Sequence, residues 1–239
     1  MSAREKVGAF FDLDGTLLPA PSLEWRFIGY LLAREEIGSG HVTTWLAHCA
    51  RTILRSPHAA VESNKFYLQG LPESLAADWA NTFGGNSLPF FAQGSERIDW
   101  HLALHHRVFI VSGTLAPLAR VLPRHLSGSV EIRATELEVS RGRWTGRLAG
   151  DHLSGEAKAQ AVRELAGRYG IDLNRSYAYG NRIRDLAMLD AVGHAFAVNP
   201  SSRLERIAEV QRWQILNWRR GERDAGGVHS QALAPKEAR

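Results

Sequence analysis

The chain holds a single cysteine, Cys49, so no disulfide forms within it, and a reducing, cytoplasmic setting is expected. Long apolar runs are missing as well. No stretch approaches the roughly 20 apolar residues that cross a bilayer, and the opening MSAREKVGAFF carries no apolar signal segment, so no membrane partner is expected. Charge of one sign is scarce: 29 Lys and Arg against 25 Asp and Glu leave a net +4, too little to mark a nucleic-acid surface. Nucleic acid is therefore not an expected partner, and a small anionic ligand suits the balance only weakly. Neither a P-loop nor a GxSxG or GxGxxG sequence occurs, which removes the common nucleotide-binding and serine-hydrolase patterns, and no internal repeat is seen.

What is present begins at Val7–Thr16, VGAFFDLDGT. The apolar run to Phe11 reads as a buried parallel strand whose carboxyl end carries Asp12 and Asp14. Open α/β sheets bind ligands at that end. Residues two apart on a strand share a face, so both carboxylates point the same way while Leu13 points the other. Crowded carboxylates at the end of a buried strand are costly without a cation or strong hydrogen bonds. An Asp-rich turn leading into a helix is the plainer alternative.

After Thr16 the pattern becomes helical. Ser22 caps SLEWRFIGYLLAREE, and Gly38-Ser39-Gly40 ends it; Val42, Trp45, Leu46, Cys49 and Ile53 then recur at helical spacing, which places Cys49 as a buried hydrophobe. Two shorter helical stretches, Val61–Leu68 and Glu73–Phe83, complete a segment with no comparable strand signal. Ser95–His106 reads as a further helix. Its histidines 101 and 105 are one turn apart but lack the Glu of HExxH, so an exposed helix surface is expected there.

Arg107–Val111 is a second buried strand running into Ser112-Gly113-Thr114, with Pro117 in the first turn of an expected helix. Strand, small residues and helix N-terminus together present free N–H groups to an anion, and the Ser112 hydroxyl adds a donor. Val130–Ala134 is a candidate third strand, and ELEVSRGRWTGRL alternates like a hairpin about Arg141-Gly142. Glu156–Tyr169 is helical, with Gly170 as its stop. Lys158 stands in its first turn, where the helix dipole disfavours a cation unless an anion compensates. Ser176–Gly180 and Ala195–Val198 read as further strands, with a last helix from about Ser202 that Trp213 and Trp218 pack onto the core.

These residues, in this order, resemble the haloacid dehalogenase superfamily, and most nearly its branch that contains phosphoserine phosphatase. DLDGT resembles the first motif, Ser112-Gly113 the second, Lys158 the third and Gly180–Asp185 the fourth; the helical segment after the first strand resembles the branch's cap. The resemblance implies a Rossmann-like three-layer α/β sandwich with a parallel sheet. Residues 1–18 and 89–220 would form the core, 19–88 the cap, and 221–239 a disordered tail.

It also implies a Mg²⁺-dependent hydrolase of small phosphomonoesters. Asp12 would be the nucleophile that forms an aspartyl-phosphate and Asp14 the general acid and base. Thr16, Ser112, Gly113 and Lys158 would hold the phosphate. Asp12, the backbone carbonyl of Asp14 and Asn181 would hold the metal, with Asp185 acting through water. Asn181 departs from the family pattern, which has Asp there, and removes one negative charge. Weaker metal binding is expected, and an inactive ligand-binding or regulatory protein is the alternative that this departure supports; a phosphotransferase would share every motif. Arg182 and Arg184 add positive charge close by, and Glu24, Arg26, Arg51 and Arg55 are the cap residues considered for specificity.

Overall fold

A computed structural model describes residues 6–53, 65–82, 88–122, 126 and 129–219. The expected tail at 221–239, residues 61–64 of the third helical stretch, and Arg55 lie outside the described residues.

Six strands form one parallel sheet: β1 (Gly8–Phe11), β2 (Arg107–Leu115), β3 (Val130–Thr135), β6 (Tyr177–Gly180), β7 (His194–Val198) and β8 (Gln214–Leu216), in the order β3-β2-β1-β6-β7-β8. A hairpin of β4 (Leu137–Ser140) and β5 (Arg143–Leu148) stands apart from it. Strand order reverses between β1 and β6, and in such sheets the crevice for a ligand opens at the carboxyl ends of the two strands that flank the reversal.

The sheet is apolar on both faces because its side chains alternate between two cores. Ala9, Phe11, Val108, Ile110, Tyr179 and Phe196 face one side; Phe10, Phe109, Val111, Ala178 and Ala197 face the other. The second face is covered by α6 (Glu156–Tyr169), α7 (Leu186–Asp190) and α8 (Ser202–Gln211) through Val162, Leu165, Met188, Leu189, Leu204 and Ala208. Gly170 ends α6 in the left-handed region, at φ 65°, where its N–H reaches the Ala166 carbonyl.

The first face meets α4 (Ala92–Ala103), whose Gly94, Arg97, Ile98 and His101 recur at the 3–4 spacing of a single stripe. An aromatic ladder crosses the strands beneath it: Phe11 stacks on Tyr179 at 4.3 Å and Tyr179 on Phe196 at 4.8 Å, between registered partners. Trp218 closes one end, against Gly94 and Tyr179, and its backbone N–H donates to Asn199 Oδ1 at 2.8 Å.

The helices between β1 and β2 are α1 (Leu23–Ala33), α2 (Ser39–Ile53) and α3 (Ser74–Thr82), with a 3₁₀ turn at Phe66–Leu68. The hairpin belongs spatially with them. Gly70 N–H donates to Trp144 O (2.8 Å), Trp144 N–H to Leu71 O (3.0 Å) and Glu73 N–H to Gly142 O (3.0 Å), and the Trp144 ring meets Phe27 edge-on at 6.0 Å. Arg141 and Gly142 both have positive φ, 51° and 72°, as a two-residue hairpin turn of matching twist requires.

Four sequence expectations need correction. β2 continues through Ser112-Gly113-Thr114 to Leu115, because its pairing with β3 resumes after a bulge between Ser112 and Leu115. The helix that follows, α5 (Ala116–Ala119), holds Pro117 in its first turn as expected, but it has only four residues and starts directly at the end of β2, too short to offer the anion-binding N-terminus expected beside Ser112. His101 is buried rather than on an exposed surface, since it completes the stripe that faces the sheet. Its ring nitrogens lie 2.8 Å from His106 Nδ1 and 2.9 Å from Tyr179 Oη. Cys49 is half-buried, and the face it shares with Val42 (45% exposed) and Leu46 (52% exposed) looks away from the core. The strand β8 had no recognised sequence signal.

Burial, together with the charges of His106 and Arg97, lowers the His101 pKa from 6.5 to about 2. A base depressed in the fold adds stability that is fully present above its unfolded pKa and lost as pH falls below it. Between pH 6.5 and 4.5 the His101→Asn variant should therefore lose less stability to acid than the native chain, by up to about 1.4 kcal/mol per pH unit. Parallel urea titrations at several pH values check this; equal slopes would remove His101 as the acid-sensitive group.

Candidate active site

The loop after β1 is tight. Gly15 N–H donates to Leu18 O at 2.7 Å and Leu18 N–H to Leu13 O at 2.9 Å, with Gly15 at φ 93°. This turn leaves Asp12 at the strand end and Thr16 beneath it, where the Thr16 hydroxyl donates to Asp12 Oδ2 at 3.0 Å. From the other side, the first turn of α6 delivers Lys158. Its ammonium lies 2.6 Å from Asp12 Oδ1 and 2.6 Å from Asp185 Oδ1, with all three side chains buried. These are the compensating anions that the position of Lys158 in a helix N-terminus called for.

Asp185 is held by backbone. The chain turns back after β6, and the N–H groups of Asn181 and Arg182 both donate to Asp185 Oδ2 at 2.9 Å. A Cβ at Gly180 would stand 2.5 Å from the Asp185 Cβ, so this fold-back needs glycine. Asn181, also buried, lies across Gly15: its Nδ2 would be 2.0 Å from a Cβ there. The two loops therefore interlock at a glycine. A further link runs from Gly155 N–H to Arg184 O at 2.8 Å, tying the start of α6 to the same loop.

Asp14 is half-buried and points toward the helices. Its Oδ1 accepts the Leu23 N–H at 2.9 Å, at the start of α1, and its Oδ2 accepts the Thr114 hydroxyl. Ser112 is buried, its Oγ accepting the Thr114 N–H at 3.2 Å. At Gly113 a side chain would meet His152 Cε1 at 3.0 Å and Leu153 O at 3.3 Å, so glycine lets residues 152–154 approach β2 closely.

Electrostatics follow from this burial. Desolvation, reinforced by Asp185 and opposed by Lys158, raises the Asp12 pKa to about 7. Desolvation also raises the Asp14 pKa, against the lowering effect of its hydrogen bonds from Thr114 and Leu23. Burial alone would depress Lys158, but the charges and hydrogen bonds of Asp12 and Asp185 overcome it and hold the ammonium well above the ordinary lysine value.

All these groups line one cavity of about 700 Å³ at the switch point: Asp12, Asp14, Ser112, Lys158, Asn181 and Asp185, together with Gly113. Of the sequence candidates, Thr16 sits behind Asp12 rather than in the cavity wall. Arg182 and Arg184, both exposed, do line the wall, as does Glu24. Arg26 turns instead to the carbonyls of Pro21 and Pro19, at 2.9 and 3.1 Å, and Arg51 is exposed and away from the cavity. Thr114, His152, Lys65 and Tyr67 line it without having been singled out. Thr114 had a signal, its two-residue spacing from Ser112 on one strand; the other three enter through loops and a 3₁₀ turn with no distinctive pattern.

The family model for haloacid dehalogenase-like hydrolases matches residues 9–190 of the sequence. The chain belongs to this family. A relative named a probable phosphatase, from Mycobacterium tuberculosis, is 40% identical over 232 residues, covering 91% of this chain and 77% of its own. Among solved structures, a protein of unknown function from Bordetella pertussis superposes with a TM-score of 0.73 at 24% identity, covering 89% of this chain and 99% of that one. A probable phosphoserine phosphatase from Vibrio cholerae gives 0.63 at 19% identity, covering 89% and 61%. The two structural likenesses agree with the haloacid dehalogenase fold described above.

The hydrolase's buried triad sets a stability test. Lys158→Met would leave Asp12 and Asp185 facing each other without a cation, and a broken buried pair costs about 3–5 kcal/mol. Lys158 is what opposes the raised pKa of Asp12, so without it the Asp12 carboxyl rises further; its contribution is favourable at low pH and lost as pH rises from the unfolded value through the folded one. The loss in urea stability should be larger at pH 8 than at pH 5; a loss independent of pH would show that the lysine acts only through packing.

Proposed function

We propose that the chain is a Mg²⁺-dependent phosphomonoester hydrolase that works through an aspartyl-phosphate on Asp12. One observation carries the reading: Asp12 at the end of β1, bridged through Lys158 to Asp185 at the switch point, in a cavity that also holds Asp14. The Mycobacterium tuberculosis relative, named a probable phosphatase, supports it.

Asp12 attacks phosphorus through a carboxylate oxygen as the ester P–O bond breaks, which divides one displacement into two easier ones. The departing alkoxide takes the proton of Asp14. That role suits a carboxyl whose proton affinity is raised by burial and whose position is fixed from both sides by Thr114 and the start of α1. Asp14 then removes a proton from water, whose oxygen attacks phosphorus and frees Asp12. Lys158 and Ser112 neutralise and hold the phosphoryl oxygens, with Gly113 giving them room. The helical segment 19–88, with the β4–β5 hairpin against it, serves as the cap over the core of 1–18 and 89–220.

The oxygen set fits Mg²⁺. Asp12, the Asp14 carbonyl and the Asn181 amide are hard donors of which only one is charged, with Asp185 beside them. Among the described residues no three His, Cys, Asp or Glu side chains converge on one point, so the neutral donors are needed. When bound, the ion neutralises charge on the transferring phosphoryl group. Gly15 leaves room for the Asn181 amide, so the usual position of the missing carboxylate is filled in shape but not in charge.

Phosphate release from an aryl phosphomonoester should be saturable in Mg²⁺, and Asp12→Asn should abolish it. Asn181→Asp should lower the Mg²⁺ concentration for half-maximal rate by about tenfold, as a restored charge beside a divalent ion implies. Silence of the native chain with activity in Asn181→Asp would instead favour a ligand-binding protein whose catalysis has been lost.

A further inference from the structure

The cavity changes character along its length. At the sheet end it is walled by carboxylates, Lys158 and the two arginines; at the helical end its wall is Trp25, Ile28, Leu32, Ile37, Val42 and Trp45. Several of these are more exposed than their size would lead one to expect: Trp25 is 67% exposed, Leu32 54% and Val42 45%. They come from α1, α2 and the turn between; Ile37 also joins the core, while Trp25, Leu32 and Val42 look into the cavity.

The charges at this end cancel. Lys65 Nζ lies 2.6 Å from Glu24 Oε1, and the Tyr67 hydroxyl donates to the same oxygen at 2.5 Å. Lys65 is 4% exposed, and burial with the adjacent Glu24 raises the Tyr67 pKa, so the hydroxyl stays protonated as a donor. Glu24 and Lys65 thus neutralise each other at this end of the cavity, and an ammonium or carboxylate arriving there must compete with a pair already formed at 2.6 Å.

The geometry points to a phosphomonoester whose leaving group is an uncharged, extended apolar alcohol, lying along the Trp25, Leu32 and Val42 wall. This rests on the phosphatase reading for where the phosphate sits. Specificity then comes from removing apolar area from water, and the Glu24–Lys65–Tyr67 cluster, neutral in sum, disfavours a zwitterion, which loses its hydration there and must compete with the existing ion pair for partners.

The test is a series of ethyl, butyl and octyl phosphates against O-phosphoserine. Turnover as kcat/KM should rise roughly 2- to 4-fold per added methylene, the gain for burying each one, and O-phosphoserine should fall at least about tenfold below butyl phosphate. Leu32→Glu and Val42→Glu, both at exposed positions, should each lower the octyl-to-ethyl ratio by about tenfold. No dependence on chain length, or a preference for O-phosphoserine, would overturn the inference. Calorimetric titration with the matching alkylphosphonates separates it from the catalytic reading. If no ester is hydrolysed, affinity that still grows with chain length upholds the apolar site while the phosphatase reading fails; flat affinity overturns the site itself.

Discussion

The ion triad of Asp12, Lys158 and Asp185 is the constraint on which the arrangement depends. Each member arrives from a different part of the chain, β1, α6 and the loop after β6, and each is buried. Buried charges stand only when paired and hydrogen-bonded, so the three elements must meet in register. The secondary contacts serve that meeting: Thr16 under Asp12, two amides under Asp185, the Gly155 link to Arg184, and the glycines at 15 and 180 that let loops cross closely. The parallel sheet supplies the geometry, because its switch point puts the ends of β1 and β6 side by side.

Much of this was legible in the sequence where a local signal and a physical requirement coincided. A cation in the first turn of α6 is anomalous by itself, and the anomaly resolved into Asp12 and Asp185. The apolar runs at β1, β2, β6 and β7 identified themselves, since strands buried on both faces cannot hide among polar segments. Ser22 capped α1 and Gly170 ended α6 as read.

The misreadings share a cause, which is that partners distant in sequence decided the outcome. Pairing with β3 carried β2 past Ser112 to Leu115 and left only a four-residue helix after it. A stripe set by Gly94, Arg97 and Ile98 buried His101 against Tyr179. Periodicity in α2 was real, but among the described residues none of its apolar side chains joins the buried core: Val42 and Trp45 turn to the cavity, Leu46 is exposed and Cys49 half-buried. Periodicity says which residues share a face; it does not say what the face meets. The hairpin was read correctly, yet its placement beneath Phe27 and Gly70 was not in its own sequence.

One carboxylate does double duty. Asp14 accepts the Leu23 amide at the start of α1, and so it is at once a helix cap and the proposed proton donor. A helix N-terminus stabilises the ionised form of its capping carboxylate. The posture of α1 therefore sets how readily Asp14 gives up its proton. A helix seated on the acid favours release, and a helix drawn away leaves the proton where burial holds it. Substrate that seats the helical segment would in this way ready the acid it is about to use, with no messenger between cap and chemistry other than a single amide hydrogen.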